Sequence, residues 1–413
     1  MKRNCRKLTV TWPLVLFLLL PALTHAETAV QAWVQRYNGP GNAEDQATAV
    51  AVDGNNDVII TGYSANTVSL YDYDYVTIKY SSAGLPLWTN RYDGPGNYLD
   101  RARALAVDGS NNVIVTGEST GSDGGYAYAT IKYSSDGVPL WTNRYKGERV
   151  TAVAVDGSNN VIVTGRSWTS GSSDDYATLK YSSAGVPLWT NRYHGPGSGS
   201  DYPTGVAVDG SNNVIVTGYS AGSVGNTDYA TVQYSSAGVP LWTNRYHGPG
   251  SGTDQAAAVA VDGSNNVIVT GYSGNGSGAD YLTILYSSAG VPLWTNRYNG
   301  PANNFDSATA VAVDGSNNVI VTGFSAGSGS AWDYTTIQYS SAGVPLWTNR
   351  YNGPGNDHDN ARKVAVDGNN NVMVTGWSTG SGSAYDYATI KYSSTGVPLW
   401  NSRYNGPGNG WDM

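Results

Sequence analysis

The sequence is poor in cysteine, methionine, phenylalanine and charge. Its 413 residues include one cysteine, three methionines and three phenylalanines, and only 13% of them are charged. Helix-forming glutamate, lysine and leucine are also scarce, whereas glycine (52), tyrosine (31) and tryptophan (13) are abundant. This composition is typical of many short strands joined by tight turns, and it argues against a mainly helical protein.

The amino terminus has the pattern of a secretory signal peptide. Four basic residues precede an apolar stretch from Leu8 to Leu23, and Ala26 follows as a small residue at the expected cleavage site. Two prolines interrupt the stretch, and its roughly 16 apolar residues fall short of the ~20 that a membrane-spanning helix needs. We therefore predict a signal peptide at 1–26 and a secreted protein, extracellular or at the cell surface, with the periplasm as the alternative.

Cleavage after Ala26 changes the inventory of reactive groups. It removes Cys5, so the mature chain has no disulfide, no thiol nucleophile and no thiolate metal ligand. It also removes four basic residues, which leaves 19 Lys and Arg against 31 Asp and Glu, a net charge of −12. Such a charge argues against nucleic acid as a partner, because nucleic-acid binding needs a basic surface.

The rest of the chain is a repeat array. Eight Trp-x-x-Arg-Tyr segments recur at intervals of 55, 53, 48, 53, 52, 53 and 53 residues, beginning at Trp33, Trp88, Trp141, Trp189, Trp242, Trp294, Trp347 and Trp400. Seven Val-Asp-Gly segments lie between them. The one short interval reflects a linker that is deleted near Lys146. Residues 27–413 are therefore predicted to form one domain of seven repeats of about 53 residues.

One repeat, taken from Asp201 to Gly248, indicates the fold of the unit. Its alternating and β-branched segments predict four strands: 205–208, 214–218, 228–234 and 240–246. Four antiparallel strands in about 50 residues are the unit of a β-propeller blade. The fold class predicted is therefore all-β, a seven-bladed β-propeller of four-stranded antiparallel blades. An open β-solenoid is the alternative, although its coils are usually shorter.

The two ends of the array leave undecided which strand closes the ring. Residues 33–37 form an extra fourth-strand segment ahead of the first repeat, and residues 405–413 form a partial linker behind the last. Both 33–37 and 400–404 are candidates for one outer strand position. We expect 400–404 to pair locally, because its short hairpin closes a much smaller loop. The protein is predicted to be a monomer.

The repeat resembles a known bacterial family. Its pattern is Trp-x-x-Arg-Tyr-x-Gly-Pro-Gly-x-x-x-Asp-x-Ala, then Ala-Val-Asp-Gly-x-x-Asn-Val-x-Val-Thr-Gly, then Asp-Tyr-x-Thr-x-x-Tyr. This pattern is similar to the SBBP (seven-bladed beta-propeller) repeats, and it covers residues 33–413. The resemblance implies an exported or cell-surface propeller and implies no particular chemistry.

Variation among the repeats indicates where a ligand would bind. The turns between strands one and two, and between three and four, are nearly constant, whereas the loops between strands two and three differ in length and content. Variable loops on a rigid scaffold are common binding sites, although free drift of surface loops is the simpler explanation. The candidate ligand-binding residues are Tyr71, Asp72, Tyr73, Asp74, Glu118, Trp168, Asp174, Asp175, Trp332, Trp377 and Tyr385.

Several motifs that suggest chemistry are better explained by structure. Gly-x-Ser-x-Gly recurs four times at strand ends, where a nucleophile elbow would need a strand-to-helix turn and partner His and Asp residues. The Asp-Gly-Ser-Asn-Asn turns offer one carboxylate each, so an αL turn with a side-chain cap is favoured over a calcium loop. We predict no catalytic residue, no metal ligand and no cofactor, with calcium as the minor alternative.

These observations favour a binding or structural module over an enzyme. Loop aromatics can stack on sugar rings or pack against a protein, and loop carboxylates can accept hydrogen bonds. The predicted ligand is a carbohydrate or a protein on the variable loops. Two alternatives remain: a polysaccharide hydrolase or lyase that uses paired carboxylates, and a multivalent lectin-like propeller that uses the constant turns.

Overall fold

The computed structural model describes residues 29–66, 72–168, 173–222, 225–249, 252–276, 278–329, 331–408, 410 and 412. These residues form 28 strands in seven four-stranded antiparallel sheets, so the predicted fold class is confirmed. The predicted signal peptide at 1–26 lies outside the described residues. Within the described part of the chain there is no apolar helix of membrane-spanning length.

Each sheet is one blade, built from four consecutive strands. Blades 1 and 2 contain β1 Asp45–Val52, β2 Val58–Ala65, β3 Tyr73–Tyr80, β4 Pro86–Tyr92, β5 Asp100–Val107, β6 Val113–Thr120, β7 Tyr126–Tyr133 and β8 Pro139–Lys146. Blades 3 and 4 contain β9 Arg149–Val155, β10 Val161–Ser167, β11 Asp175–Tyr181, β12 Pro187–Tyr193, β13 Asp201–Val208, β14 Val214–Ala221, β15 Thr227–Tyr234 and β16 Pro240–Tyr246. Blades 5, 6 and 7 contain β17 Asp254–Val261, β18 Val267–Gly274, β19 Ala279–Tyr286, β20 Pro292–Tyr298, β21 Asp306–Val313, β22 Val319–Ala326, β23 Trp332–Tyr339, β24 Pro345–Tyr351, β25 Asp359–Val366, β26 Val372–Thr379, β27 Tyr385–Tyr392 and β28 Pro398–Tyr404.

The first and second strands are longer than the sequence pattern predicts. In blade 4, β13 begins at Asp201 and not at Gly205, because a β-bulge between Pro203 and Gly205 lets the pairing continue past the break in alternation. The second strand β14 likewise runs on to Ala221. The first strands of consecutive blades contact one another from blade 1 to blade 7, as expected for the innermost strands of a propeller.

The turn between strands one and two is capped by its own aspartate. In blade 4, Asp209 Oδ1 accepts hydrogen bonds from the backbone N–H groups of Ser211 and Asn213, at 2.9 and 2.8 Å. Asn212 adopts a φ of 62°, a left-handed conformation that asparagine tolerates. The side chain of Asn213 donates to Asp209 Oδ2 at 2.8 Å. The predicted αL turn with a side-chain cap is therefore present.

The same turn joins each blade to the next. The backbone N–H of Gly210 donates to Asn265 Oδ1 in the turn of blade 5, at 2.8 Å. Equivalent bonds link consecutive turns from blade 1 to blade 7. Together with the turns between strands three and four, these turns form what we call the constant-turn face of the ring. The opposite side, which carries the loops between strands two and three and the linkers, is the variable-loop face.

The repeated tryptophan also joins neighbouring blades. Trp242 on β16 lies over Gly290 in the β19–β20 turn of the next blade, where φ is +78° and a side-chain Cβ would lie 2.7 Å from the indole. Its Nε1–H donates to the Ser288 carbonyl at 3.2 Å. The tryptophans on the fourth strands of blades 1 to 6 make the same bond to the blade that follows. The tryptophans of blades 1 to 6 therefore pack between blades.

The core is a series of apolar clusters between blades. Between blades 4 and 5, Ile215 and Tyr229 of blade 4 pack with Val267, Val269 and Ile284 of blade 5. Five further clusters repeat this arrangement from blade 1 to blade 7. The sheets of blades 2 to 6 are covered on both faces in this way, which explains their runs of β-branched residues.

The carboxyl-terminal strand pairs locally, and the amino-terminal segment does not enter a sheet. β28 pairs with β27 across a short turn, as predicted. Residues 33–37 lie beside blade 1, outside the strands that the structure describes, with the Trp33 ring 5.9 Å from that of Tyr80. The fourth-strand pattern of this segment is therefore present without the pairing that its sequence suggests.

Candidate functional site

The candidate site lies on the variable-loop face, where the first and second strands of blades 2, 3 and 4 meet. The repeat places one variable residue near the start of each first strand opposite one near the end of each second strand. In blade 2 these are Arg101 and Glu118, and in blade 3 they are Arg149 and Arg166. In blade 4 they are Tyr202 and Tyr219, whose rings stack 5.0 Å apart.

Four arginines are concentrated in blades 2 and 3, and we call them the arginine cluster: Arg101, Arg103, Arg149 and Arg166. Arg103 Nε donates to Glu118 Oε2 at 3.0 Å, and Arg149 Nε lies 3.3 Å from Glu118 Oε1. The Glu118 side chain is only 9% exposed, so this carboxylate is committed to the two guanidinium groups. Glu118 therefore joins two blades and orients the arginines.

The deleted linker between blades 2 and 3 brings further charge into this region. β8 ends at Lys146 and β9 begins at Arg149, with the Glu148 N–H donating to the Arg166 carbonyl at 3.1 Å. The Arg166 side chain is 3.2 Å from Asp174 and 4.0 Å from Glu148. Burial and the neighbouring Asp174 raise the pKa of Glu148 above its ordinary value. The deletion thus brings the partly exposed Glu148 and Arg149 beside the site.

A cavity of about 410 Å³ opens beside these residues, lined by Arg103, Arg149, Arg166, Tyr202 and Tyr219 among others. The Arg149 side chain is 51% exposed, so part of its guanidinium is available to a ligand. The Arg166 guanidinium lies 5.2 Å from the centre of the Tyr202 ring. Burial and Tyr202 raise the pKa of Tyr219 above its ordinary value. The cavity thus combines cationic donors with an aromatic wall.

A second region of the same face is aromatic. Phe305, Phe324, Trp332 and His358 form a continuous row across blades 5 to 7, with ring centres 4.7 to 5.9 Å apart. In blade 7, Trp377 packs against Tyr385 at 4.2 Å. Trp377 is only 8% exposed, so most of its surface is used inside the protein. Arg362 lies 6.0 Å from the Trp377 ring.

The structure does not bring all the predicted site residues together. Glu118 and Asp174 contact the arginine cluster, and Trp332, Trp377 and Tyr385 belong to the aromatic region. Trp168 follows β10 with 56% of its surface exposed. Tyr71 lies outside the described residues.

The remaining predicted residues are engaged in structural contacts. Asp74 and Asp175 lie near the starts of their third strands and pair with Arg91 and Arg192 of the fourth strands, at 3.1 and 3.3 Å. The same ion pair recurs in blades 4 to 7. Tyr73 is buried, and its hydroxyl donates to Glu44 at 2.8 Å. Asp72 accepts a hydrogen bond from the Asn66 side chain at 3.2 Å.

Comparison with known proteins adds information on the fold. No family model matches the chain, and no curated protein is detectably similar to it in sequence. Sqt1 from Chaetomium thermophilum is similar in structure, with a TM-score of 0.56, 12% identity, and 89% of this chain and 85% of that chain covered. The likeness is to the fold. Sqt1 bound to the N-terminus of ribosomal protein L10 gives a TM-score of 0.58 at 12% identity, over 88% and 89% of the two chains. A Dos1 propeller gives 0.51 at 9% identity, over 79% and 74%.

Among the residues that the structure describes, three clusters have residue types that could hold a metal ion. They are Asp175 with His194 and Asp201, Asp228 with His247 and Asp254, and Asp74 with Asp93 and Asp100. Each linker aspartate in these clusters already accepts a backbone hydrogen bond at 2.7 Å, from Gly195, Gly248 and Gly94. These aspartates therefore cap the linkers.

The carboxylates near the cavity are also bound to cations. Glu118 contacts Arg103 and Arg149, and Asp174 contacts Arg166. Glu148 has a raised pKa and could give up a proton, but Glu118 and Asp174 are held by arginines and supply no free carboxylate to act with it. A glycoside hydrolase needs one carboxylic acid that can give up a proton and one free carboxylate across a pocket. The arrangement described here is better suited to binding an anionic group than to proton transfer.

Sequence reasoning missed Arg101, Arg103 and Arg149. Comparison of the loops alone leaves out the first strands, although other repeats carry Gln46, Gln255 and Ser307 at the position of Arg101, and Thr204 and Thr309 at the position of Arg103. A search for departures from the repeat, made on strands as well as loops, would have found them.

Proposed function

We propose that this chain is an exported β-propeller that binds an acidic segment of a partner protein on its variable-loop face. The observation that carries the proposal is the cavity lined by Arg103, Arg149, Arg166, Tyr202 and Tyr219. Its lining includes three arginines and no acidic residue, in a mature chain whose predicted net charge is −12, while Glu118, Asp174 and Glu148 lie beside the arginines. Guanidinium donors that line a cavity favour an anionic ligand.

The chemistry of these residues favours carboxylate recognition. A guanidinium presents parallel N–H donors that match the two oxygens of a carboxylate. Arginine and tyrosine are also the residues most enriched at the energetic centres of protein interfaces. Glu118 holds Arg103 and Arg149 in place, so little side-chain entropy is lost when a ligand binds.

The competing acid at the site can be displaced. The Glu148 side chain is 46% exposed, and its raised pKa indicates that its charged form is disfavoured where it lies. Glu148 can turn to solvent, and the partner carboxylate is then expected at the exposed Arg149 and not beside Arg166, where burial and Asp174 disfavour an anion. The Sqt1 structure with the N-terminus of ribosomal protein L10 supports the class of ligand, since a propeller of similar fold there binds a protein segment.

An acidic glycan is the second candidate, and the stacked pair Tyr202 and Tyr219 favours it. Aromatic faces pack on sugar rings, and the arginines would then contact a uronic acid carboxylate. The two candidates share the same anionic group. They differ in the backbone that carries it, so paired probes distinguish them.

The test uses fluorescein-labelled hexaglutamate, with tetragalacturonate as the competitor, in fluorescence anisotropy. We expect saturable binding that weakens as salt is raised, and a loss of about tenfold or more in Arg149→Gln. Arg362→Gln is the matched control, because Arg362 holds the repeat position of Arg103 in blade 7. Preferential binding of tetragalacturonate would favour the glycan. Binding of neither probe, or equal loss in both variants, would contradict the site.

Export is tested separately. The basic residues and apolar stretch at 1–26 and the resemblance to SBBP repeats support a cleaved signal peptide. Expression of the full chain in a bacterial host followed by intact-mass measurement of the culture medium and periplasm should show a protein that begins at Glu27. Retention of the uncleaved chain in the cytoplasm would contradict export and leave the ligand proposal unaffected.

A further inference from the structure

The contact between blades 7 and 1 differs from the six other contacts between neighbouring blades, which we call seams. In each of the six, a third-strand tyrosine that is 1% exposed donates its hydroxyl to a backbone carbonyl of the next blade at 2.5 to 3.3 Å. The corresponding residue of blade 7 is Tyr387, which is 44% exposed. Blade 7 therefore presents an uncovered face where the other blades present a buried one.

Blade 1 is uncovered on the side that faces blade 7. Val50 and Val52 of β1 are 66% and 58% exposed. Their counterparts in blade 2, Leu105 and Val107, are partly buried against the cluster between blades 1 and 2. Between the two uncovered faces lies a cavity of about 560 Å³, lined by residues that include Ala47, Ile60, Ile78, Tyr387 and Tyr404.

The segment 33–37 occupies the outer edge of this cleft in the manner of a fourth strand. Trp33 Nε1 donates to the Ser82 carbonyl at 3.1 Å, and the Gln35 side chain donates to the Gly84 carbonyl at 3.0 Å. In the next seam, Trp88 and Asn90 make the same two bonds to blade 2, at 3.0 and 2.7 Å. The segment therefore stands in the position that a fourth strand of a preceding blade would take.

The hydrogen bonds on the other side of the segment agree with this position. Arg36 Nη2 donates to the hydroxyl of Tyr404 in blade 7 at 2.9 Å. This contact repeats the one from Arg403 of blade 7 to Tyr351 of blade 6, at 3.2 Å. The segment 33–37 thus stands in the fourth-strand position of a blade that would lie between blades 7 and 1. Three inner strand positions remain between the uncovered faces.

We propose that this cleft is an acceptor site for one further three-stranded antiparallel β-sheet, a polypeptide segment with the pattern of strands one to three of this repeat. Its third strand pairs with 33–37. The intact seams define its chemistry: a second-strand isoleucine and a third-strand tyrosine face blade 1, and valines face Tyr387 of blade 7. The pattern of the six seams carries the proposal, which is independent of the anion site.

A second copy of this chain does not fit as well. All seven of its described sheets already have four strands, so it has no three-stranded unit to insert. A polar or strongly charged partner would leave Val50 and Val52 against unmatched groups. A segment of the repeat's own kind buries both uncovered faces and pairs the backbone of 33–37 at the same time.

The test presents such a segment to the full chain. The probe is a labelled peptide of residues 306–339, and the control peptide carries Ile320→Asp and Tyr334→Asp, the two side chains expected to face blade 1. We expect one peptide to bind per chain, a higher Tm, and slower hydrogen exchange at 49–52 and 385–389. The control peptide should bind about tenfold more weakly or not at all.

Variants of the full chain make the result specific. Val50→Asp should leave stability unchanged without the peptide and reduce peptide binding about tenfold, because Val50 is exposed until the cleft is filled. Val186→Asp, at a valine 58% exposed on a constant turn, is the matched control and should bind normally. In a second version, the same strands are fused behind Asp412, so that poor peptide solubility does not decide the outcome.

Three results would overturn the proposal. The first is no binding of the free peptide and no gain in Tm from the fused strands. The second is equal binding of the two peptides. The third is self-association of the chain that Val50→Asp abolishes, which would show that a second copy covers this face.

Discussion

The two faces of the ring are built from one repeat, and yet their charged groups behave in opposite ways. On the constant-turn face, burial alone would raise the pKa of Asp108, but hydrogen bonds from Lys132 and Asn112 outweigh burial and lower it. On the linkers of the variable-loop face, burial raises the pKa of Asp100, and hydrogen bonds from Ser119 and Gly94 offset only part of the rise. The charge of Asp108 is thus stabilised on the constant-turn face, whereas the charge of Asp100 on the variable-loop face is held less favourably.

The largest expected effect comes from breaking the scaffold. Trp242→Ala removes the indole from Gly290 and the hydrogen bond to Ser288, so we expect a loss of about 3 kcal/mol in the free energy of unfolding. Trp168→Ala, at an exposed tryptophan of a variable loop, should change it by less than about 0.5 kcal/mol. Urea denaturation of both variants measures the difference. Equal losses would show that the two faces contribute alike.

The opposite pKa directions predict opposite responses to acid. A lowered pKa contributes stability that is present above the ordinary aspartate value of 3.8 and is lost as pH falls through the folded pKa, which for Asp367 is about 2. A raised pKa, as at Asp100, Asp306 and Asp359, costs stability at neutral pH, and that cost is relieved as pH falls through the folded value towards 3.8.

Two variants separate these contributions. Asp108→Asn should lessen the loss of stability between about pH 4 and pH 2, because one carboxylate that must be protonated is gone. Asp100→Asn should remove part of the gain in stability that occurs above pH 3.8 as the pH falls, before that loss begins. Urea midpoints measured from pH 6 to pH 2 report both changes. An unchanged acid limb in Asp108→Asn would contradict the assigned direction.

The sequence predicts the scaffold well and the site poorly, for physical reasons. The Asp209 turn, the Trp242 contact and the linker aspartates recur in most repeats, and each follows from backbone geometry that repetition makes visible. The arginine cluster does not recur. Arg149 reaches Glu118 only because the linker before it is deleted and two blades adjoin there, and no local pattern encodes a contact between residues of different blades.

Strand length also limited how well the site could be predicted from the sequence. The sequence pattern places Tyr73, Asp74, Glu118 and Trp377 in loops because the apolar alternation does not reach them. In the structure the strands extend through these residues, whose backbones pair with neighbouring strands. Pairing between backbones extends a strand without any signal in its side chains.

The smallest expected effect is on stability at the candidate site. Arg149 is half exposed and contacts Glu118 near the surface, so Arg149→Gln should lower the free energy of unfolding by no more than about 0.5 kcal/mol. Arg103→Gln, whose guanidinium is more buried, should cost somewhat more. A loss above about 2 kcal/mol in Arg149→Gln would assign this residue to the scaffold instead of to binding.

Mapping where an anionic probe lies is the most direct test that binding belongs to the variable-loop face. Hydrogen exchange of the full chain with and without saturating hexaglutamate should show protection at the starts of β5, β9 and β13, around residues 101–103, 149–151 and 202–204. The constant turns at 108–112 and 209–213 should exchange at unchanged rates. Protection confined to those turns would contradict the assignment and favour seven equivalent sites on the opposite face.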